Sequence, residues 1–204
     1  KGSENYCFLL IASPSDAYYT APIKVMVERE HSRAAKGGTG AEKVGGNYAG
    51  SLQATGRSIG AGFDQPLWLD AATGTNIEEL SGMNFAAIVD GALHTPALSG
   101  TILPGITRSQ GMDVVERTMP IDELLRDIET GRCSELFACG TAAIISPIAE
   151  IGDTETRQTP KDINKVAKAL KDALLGIQEG RKSDTFGWMA DAADVDALTR
   201  RLNG

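Results

Sequence analysis

Residues 36–48 read KGGTGAEKVGGNY, and the interpretation of the whole chain starts from this stretch. It contains five glycines within ten residues, on both sides of Lys43. Glycine inside a regular helix or strand costs about 0.5–1 kcal/mol relative to alanine, so such a run indicates tight turns or the close approach of a ligand to the backbone. The stretch therefore predicts a functional loop, which leads into a helix that begins near Asn47.

Two common phosphate-binding motifs do not fit this loop. A P-loop requires Gly-Lys followed by Ser or Thr, whereas Glu42 precedes Lys43 and Val44 follows it. A dinucleotide fingerprint requires a strand, a Gly-x-Gly-x-x-Gly turn and a helix with a later acidic partner, and the sequence contains no such unit here. On residue type alone, a single lysine among glycines is a solvated surface residue.

Residues 37–48 closely resemble the cofactor-lysine segment of the branched-chain amino acid aminotransferases, which are fold-type IV pyridoxal-phosphate enzymes. Four more matches follow in the order of that family. They are Ile77–Asn84, Leu98–Arg108, Ala138–Ala143, and Ile177–Gly180 followed by Asp184 and Gly187–Met189. Five matches in register argue against chance. The resemblance runs from about Cys7 to Met189 and covers the larger, C-terminal domain of the family's two.

The resemblance implies a fold and an activity. The fold is α+β, the large domain of a fold-type IV aminotransferase, with a mixed β-sheet or pseudo-barrel and surrounding helices. Residues 1–204 would form the C-terminal pyridoxal-phosphate-binding domain, with residues 1–20 as the interdomain connection and first strand; the family's small N-terminal domain is absent from this sequence. The implied reaction is transamination between leucine, isoleucine or valine and 2-oxoglutarate through a pyridoxal-phosphate Schiff base, catalysed by a homodimer.

Three alternatives stay open. Two are other fold-type IV enzymes, a D-amino-acid aminotransferase and an aminodeoxychorismate lyase. The third is a non-catalytic, cofactor-free fragment. Retention of Lys43, Tyr48 and Glu79 together argues against the third, because a binding module needs no Schiff-base lysine.

The resemblance also assigns three residues to the cofactor ring. Lys43 is the catalytic lysine of the Schiff base, a role suited to an amine whose charge its surroundings disfavour. Glu79 is the anion that holds the ring nitrogen protonated, as an electron sink requires. Tyr48 donates a hydrogen bond to the phenolate oxygen. If residues 77–80 form a strand, Glu78 points to the opposite face, and we predict that it is a solvated surface residue.

The remaining assignments concern the phosphate and the substrate. Backbone N–H groups at a turn or helix start bind phosphate, and Pro104 sets such a turn here. By resemblance, the phosphate residues are Gly105, Ile106, Thr107, Thr141 and Arg33. The substrate-binding residues are Ala142 and Gly82.

The sequence outside these motifs predicts strands and helices in an order that favours α+β, because strict strand–helix–strand units are few. Apolar β-rich runs predict strands at Cys7–Ala12, Ile23–Glu28, Pro66–Asp70, Met83–Val89 and Leu136–Ile145. Helical periodicity predicts helices at Asn47–Ser58, Ile121–Thr130, Pro160–Gly180 and Asp194–Leu202. Thr159 is the predicted N-cap of the long helix, and Gly180 its stop.

Composition excludes several classes of protein. The 204 residues are 42% hydrophobic and 23% charged, as in an ordinary folded protein. A net charge of −7 without a basic run argues against nucleic acid. No apolar run approaches the roughly 18 residues of a membrane span, and the polar Lys1–Asn5 predicts no secretory leader. Three cysteines and two histidines predict neither a disulfide framework nor a metal site, so we expect a cytoplasmic protein.

Overall fold

The structure is a computed structural model, which describes residues 2–109 and 113–190. Within these residues the chain forms nine strands and four helices. The strands are β1 (Ile23–Glu28), β2 (Gln65–Leu69), β3 (Ile77–Leu80), β4 (Asn84–Val89), β5 (Ala92–Pro96), β6 (Val114–Arg117), β7 (Cys133–Gly140), β8 (Ile144–Gly152) and β9 (Arg157–Gln158). The helices are α1 (Gly45–Gly60), α2 (Ile106–Ser109), α3 (Ile121–Glu129) and α4 (Val166–Gln178).

The strands form one mixed sheet that closes on itself. Its order is β3-β2-β1-β8-β7-β4-β5-β6, with β9 paired to β8. β1 runs parallel to β2 and β8, whereas β4 runs antiparallel to β5 and β7. β3 also pairs with β4 through Glu79 and Asn84, so six strands complete a barrel-like ring. The predicted α+β fold with a mixed pseudo-barrel is confirmed.

Both faces of β4 are covered, because its side chains alternate between two apolar clusters. Phe85 and Ala87 belong to the larger cluster, which also includes side chains of α3. Ala86 and Ile88 belong to a second cluster, against which α4 packs. The whole of β4 is therefore buried, and it forms a rigid support for the residues at its ends.

Helix α4 begins six residues later than its sequence pattern predicts. Glu135 on β7 accepts hydrogen bonds from the backbone N–H groups of Val166 and Ala167, at 2.7 Å and 2.9 Å. This carboxylate satisfies N–H groups that the first turn of a helix leaves without a partner. The preceding Asn164 has a left-handed φ of 67°. Thr159 is therefore not the N-cap, whereas Gly180, with φ of 71°, follows the C-cap as predicted.

Other elements differ from the predictions in part. Cys7–Ala12 forms no strand and is exposed. The predicted strand Leu136–Ile145 is two strands joined by a tight turn. β3 was considered only as a condition for the placement of Glu78, and β5, β6, β9 and α2 were not predicted. The predictions for β1, β2, β4, α1 and α3 are confirmed to within about two residues, and Asp194–Leu202 lies outside the described residues. No helix in the described part of the chain is long and apolar enough to cross a membrane.

Candidate active site

A cavity of about 230 Å³ opens where the glycine-rich loop meets the ends of β3, β4 and β7. Eight of the ten predicted site residues line it: Arg33, Lys43, Tyr48, Glu79, Gly82, Gly105, Ile106 and Thr141. Ala142 lines an adjoining cavity together with Lys43, Tyr48 and Gly82. Thr107 lines another adjoining cavity, with Ile106 and Thr141. The fold thus brings the predicted residues to one region.

The amine of Lys43 donates a hydrogen bond to the hydroxyl of Tyr48, with 2.5 Å between Nζ and Oη. Asn47 holds the glycine-rich loop in the shape that allows this contact. Its amide nitrogen donates to the backbone carbonyls of Thr39 and Glu42, at 2.7 Å and 2.8 Å. The sequence analysis treats Asn47 only as the start of a helix. Its position between the glycines and Tyr48 is the sequence feature that could have indicated its contacts with the loop.

Glu79 is a buried carboxyl with three kinds of partner. Its Oε1 lies 2.7 Å from Nη2 of Arg33 and accepts the backbone N–H of Leu103 at 3.1 Å. Its Oε2 accepts a hydrogen bond from the Asn84 amide at 2.9 Å. Burial raises the pKa of Glu79 to about 7, although Arg33 and the Leu103 N–H lower it. A cation placed beside this carboxyl would therefore ionise it near neutral pH.

Arg33 joins three segments of the site. Besides Glu79, its Nη2 donates to the backbone carbonyl of Gly40, at 2.8 Å, and to that of Thr101. A Cβ at position 40 would lie 2.6 Å from the Thr101 carbonyl oxygen, so only glycine fits there. The contacts of Arg33 thus anchor Glu79 and the glycine-rich loop. Its assignment to a phosphate stays a prediction.

Glu78 does not lie on a solvated surface, and that prediction is wrong. The side chain is buried, and its carboxyl accepts a hydrogen bond from the Thr101 hydroxyl. Burial raises the pKa of Glu78. Alternation along β3 correctly separates Glu78 from Glu79, but residues 99–101 cover the second face of the strand.

Packing within this chain explains why residue 105 is a glycine. A Cβ at this position would lie 2.1 Å from Oδ1 of Asn84. The amide nitrogen of Asn84 also donates a hydrogen bond to the Leu103 carbonyl, at 2.9 Å. The N–H of Gly105 itself donates to that same carbonyl at 2.8 Å. Asn84 thus connects Glu79 to the turn before α2. The sequence reading included Asn84 in a matched segment but assigned it no role.

Thr141 and Ala142 lie exposed in the turn between β7 and β8. The turn is closed by the pairing of Gly140 with Ile144, and Ile144 has a left-handed φ of 62°. A β-branched residue in this conformation costs on the order of 1–3 kcal/mol, which the paired strands offset. The paired strands thus keep Thr141 at the cavity, although Ile144 in the same turn adopts an unfavourable backbone conformation.

The remaining reactive groups add no second centre among residues 2–109 and 113–190. Cys139 lines the cavity, and burial raises its pKa to about 12, so it stays a neutral thiol. Within the same residues, no group of three His, Cys, Asp or Glu side chains is placed to bind a metal ion.

Comparison with known sequences identifies relatives of the chain. A family model described as amino-transferase class IV matches residues 2–151. The branched-chain-amino-acid aminotransferase of Mycobacterium tuberculosis is 46% identical in an alignment 202 residues long, and the match covers 91% of this chain and 55% of that protein. Branched-chain-amino-acid aminotransferase 2 of Bacillus subtilis is 42% identical in an alignment 204 residues long, and the match covers 94% of this chain and 56% of that protein. The chain thus spans about half the length of these relatives.

Solved structures show the same likeness. The Escherichia coli branched-chain amino acid aminotransferase matches with a TM-score of 0.72 and 28% identity, over 88% of this chain and 60% of that one. The T.th. branched-chain amino acid aminotransferase, complexed with N-(5'-phosphopyridoxyl)-L-glutamate, matches with a TM-score of 0.69 and 27% identity, over 83% and 56%. The family resemblance carried by Lys43 and its neighbours is confirmed, and the chain belongs to the class IV aminotransferase family.

Proposed function

We propose that this chain is the pyridoxal-phosphate-binding domain of a branched-chain-amino-acid aminotransferase, with residues 1–20 as the connection to a second domain. It transfers the amino group of leucine, isoleucine or valine to 2-oxoglutarate, which becomes glutamate, while the amino acid becomes the corresponding branched-chain 2-oxoacid. The main observation in favour of this proposal is the hydrogen bond between Lys43 and Tyr48, in a cavity that the buried Glu79 also lines. The names and identities of the relatives support the reaction class.

The donor set of the cavity fits pyridoxal phosphate. Lys43 offers an amine, Tyr48 a phenol and Glu79 a carboxyl whose pKa, about 7, lets a neighbouring cation ionise it. Lys43 would bind the aldehyde carbon, Tyr48 the phenolate oxygen and Glu79 the ring nitrogen. The phosphate would bind at the turn before α2 and beside β7, at Gly105, Ile106, Thr107, Thr141 and Arg33. When bound, this cofactor supplies an electron sink for the negative charge that develops at the substrate α-carbon.

The residues of this chain supply binding and proton transfer. The Lys43 amine would take a proton from the substrate α-carbon and move it to the C4′ carbon of the cofactor, two bonds away. The Tyr48 hydroxyl, 2.5 Å away, orients that amine. Glu79 holds a proton on the ring nitrogen, and its contacts with Arg33, Leu103 and Asn84 fix its carboxyl in place.

The substrate side chain would lie in the adjoining cavity. Gly82 and Ala142 line it together with Lys43, and Ile59 and Met83 give it an apolar wall. Such a wall suits a branched aliphatic side chain, because burying apolar surface favours binding. We also infer a homodimer from the resemblance to the family, and a cytoplasmic location from the few, irregularly spaced cysteines.

Single-turnover experiments on the full chain loaded with pyridoxal phosphate test this proposal. L-leucine, L-isoleucine and L-valine should each change the visible spectrum of the cofactor, and 2-oxoglutarate should then restore it with release of glutamate. Reaction with D-alanine alone would indicate a D-amino-acid aminotransferase, and pyruvate release from aminodeoxychorismate would indicate a lyase. A wild-type chain that shows no cofactor band would be the non-catalytic alternative.

A further inference from the structure

Glu78 is a buried carboxyl that none of the roles above uses. Its side chain is 4% exposed. One of its oxygens, Oε1, accepts the hydrogen bond of the Thr101 hydroxyl, whereas Oε2 has no hydrogen-bond partner among the described residues. A buried polar atom without a partner costs stability. A residue that carries this cost calls for a role.

Glu78 is connected to Glu79 through Thr101 and Arg33. The Thr101 hydroxyl donates to Glu78, and the Thr101 carbonyl accepts from Nη2 of Arg33. The same Nη2 lies 2.7 Å from Oε1 of Glu79. All four side chains are buried. The guanidinium of Arg33, which pairs with Glu79, therefore also acts electrostatically on Glu78 in a region that screens charge weakly.

The charged groups around the two carboxyls make their protonation interdependent. Arg33 and Lys43 favour the ionised form of Glu79, whereas a charge on Glu78 disfavours it. Around Glu78, Arg33 favours the ionised form, as do the hydroxyls of Thr101 and Ser99, and Asp70 opposes it. Cys139, which interacts electrostatically with Glu79, stays a neutral thiol. Two carboxyls that share one cation titrate as a coupled pair.

We propose that Glu78 is a positioning residue, which acts through Thr101 and Arg33 and sets the pH at which Glu79 becomes negatively charged. While Glu78 is negatively charged, it opposes a negative charge on Glu79, which then keeps its proton to higher pH unless a further cation lies beside it. The consequence for catalysis rests on the proposed function, because that cation would be the protonated ring nitrogen of the cofactor. The coupling itself belongs to this chain and exists without cofactor.

Denaturation of the cofactor-free full chain between about pH 5 and 9 tests the coupling. At each pH, the stability of wild type is compared with that of Glu79→Gln, and the comparison is repeated with both proteins carrying Glu78→Gln. The slope of this difference against pH gives the protonated fraction of folded Glu79, so the midpoint is the pH at which that slope has fallen to half of its maximum. Glu78→Gln keeps an acceptor for Thr101 and removes the charge, so the midpoint should move to lower pH by about one unit.

Two further variants and a control complete the experiment. Thr101→Val removes the hydroxyl that favours the charge on Glu78, and should move the midpoint in the same direction by less. Thr101→Ser should restore it. Glu150→Gln, whose carboxyl pairs with Arg157 at 2.9 Å outside this network, should leave the midpoint unchanged.

An unchanged midpoint in Glu78→Gln, with stability lowered equally at every pH, would show that Glu78 only packs and would overturn the proposal. If Glu78→Gln does not fold, Thr101→Val and Thr101→Ser decide: equal midpoints for the two would overturn it. Failure of the proposed function is a separate result, namely that wild type binds no pyridoxal phosphate. The midpoint is measured without cofactor and is unaffected by that outcome.

Discussion

The hydroxyl of Tyr48 accepts a hydrogen bond from the amine of Lys43, at 2.5 Å. Tyr48→Phe keeps the ring and removes this contact. A hydrogen bond to a charged group contributes about 1.5–3 kcal/mol, so we expect single-turnover transamination to slow roughly ten- to a hundred-fold. Stopped-flow absorbance with L-leucine measures this. Tyr6→Phe, at an exposed position, is the control, and equal rates for both variants would contradict the role of Tyr48.

Glu79 makes the stability of the cofactor-free protein depend on pH. Its pKa is raised from 4.5 to about 7, so the folded chain retains a proton that the unfolded chain loses between these values. Stability should therefore fall as pH rises through this window, by about 3 kcal/mol in all at this residue. Glu79→Gln should remove that part of the fall, as denaturation at several pH values would show. Identical pH dependence in both proteins would mean that Glu79 is already ionised throughout.

At the scale of residues, sequence reasoning found the groups whose chemistry is distinctive and missed those that support them. Lys43, Tyr48 and Glu79 were found through matched segments. Asn84 and Glu78 were misjudged because their roles depend on which residues cover β3 and β4, and residues 99–105, which do so, are distant along the chain. Strand alternation tells the two faces apart and does not tell which face is buried.

An ion pair joins the strand before the glycine-rich loop to the helix after it. Glu28, which ends β1, is fully buried and accepts the N–H groups of Glu30 and His31 at 2.8 Å and 2.9 Å. Its Oε2 lies 2.6 Å from Nη2 of Arg57 on α1, the helix that begins just after Lys43. The pair therefore fixes β1 and α1, between which the loop runs.

Arg57→Ala should loosen this loop. It leaves the buried carboxylate of Glu28 without its cation, so we expect the free energy of unfolding to fall. Hydrogen exchange should speed up in residues 29–44. Arg29→Ala is the matched control, since its pair with Asp122 is exposed on both sides and should contribute less than about 1 kcal/mol. Equal effects of the two variants would contradict this role of the ion pair.

The turn before α2 depends on the fit between Gly105 and Asn84. Gly105→Ala places a Cβ 2.1 Å from the Asn84 amide oxygen, so Asn84 must move away from Glu79. We expect weaker binding of pyridoxal phosphate, by roughly ten-fold for one lost hydrogen bond of about 1.4 kcal/mol. Titration of the cofactor-free protein measures this. Gly50→Ala, in α1 with open space around it, should bind normally, and normal binding by Gly105→Ala would contradict the predicted movement.

The elements that sequence reasoning placed correctly are those whose signals are local. The apolar patterns that predict helix α3 and strand β1 lie within those segments, and Gly180 itself adopts the left-handed conformation. The start of α4 was wrong because the group that caps it, Glu135, comes from another strand. Strand β6 alternates poorly between apolar and polar residues, and it forms because β5 offers it hydrogen-bonding groups.

For the molecule as a whole, the resemblance to a family predicted the closed sheet. Composition and periodicity alone could not have predicted it. Cys7–Ala12 illustrates the limit. Its apolar residues favour a strand, yet a strand needs a neighbour, and no described residue pairs with this run. Propensity was therefore an insufficient basis for this one prediction.

Borohydride reduction of the full chain loaded with pyridoxal phosphate, followed by peptide mapping, tests the central claim most directly. Reduction fixes the cofactor to the lysine that binds it. We predict a pyridoxyl group on Lys43, and no visible cofactor band in Lys43→Ala, because Lys36 lies seven residues away and beyond the glycines that shape the loop. A pyridoxyl group on Lys36, or on any lysine other than Lys43, would contradict the assignment of the site.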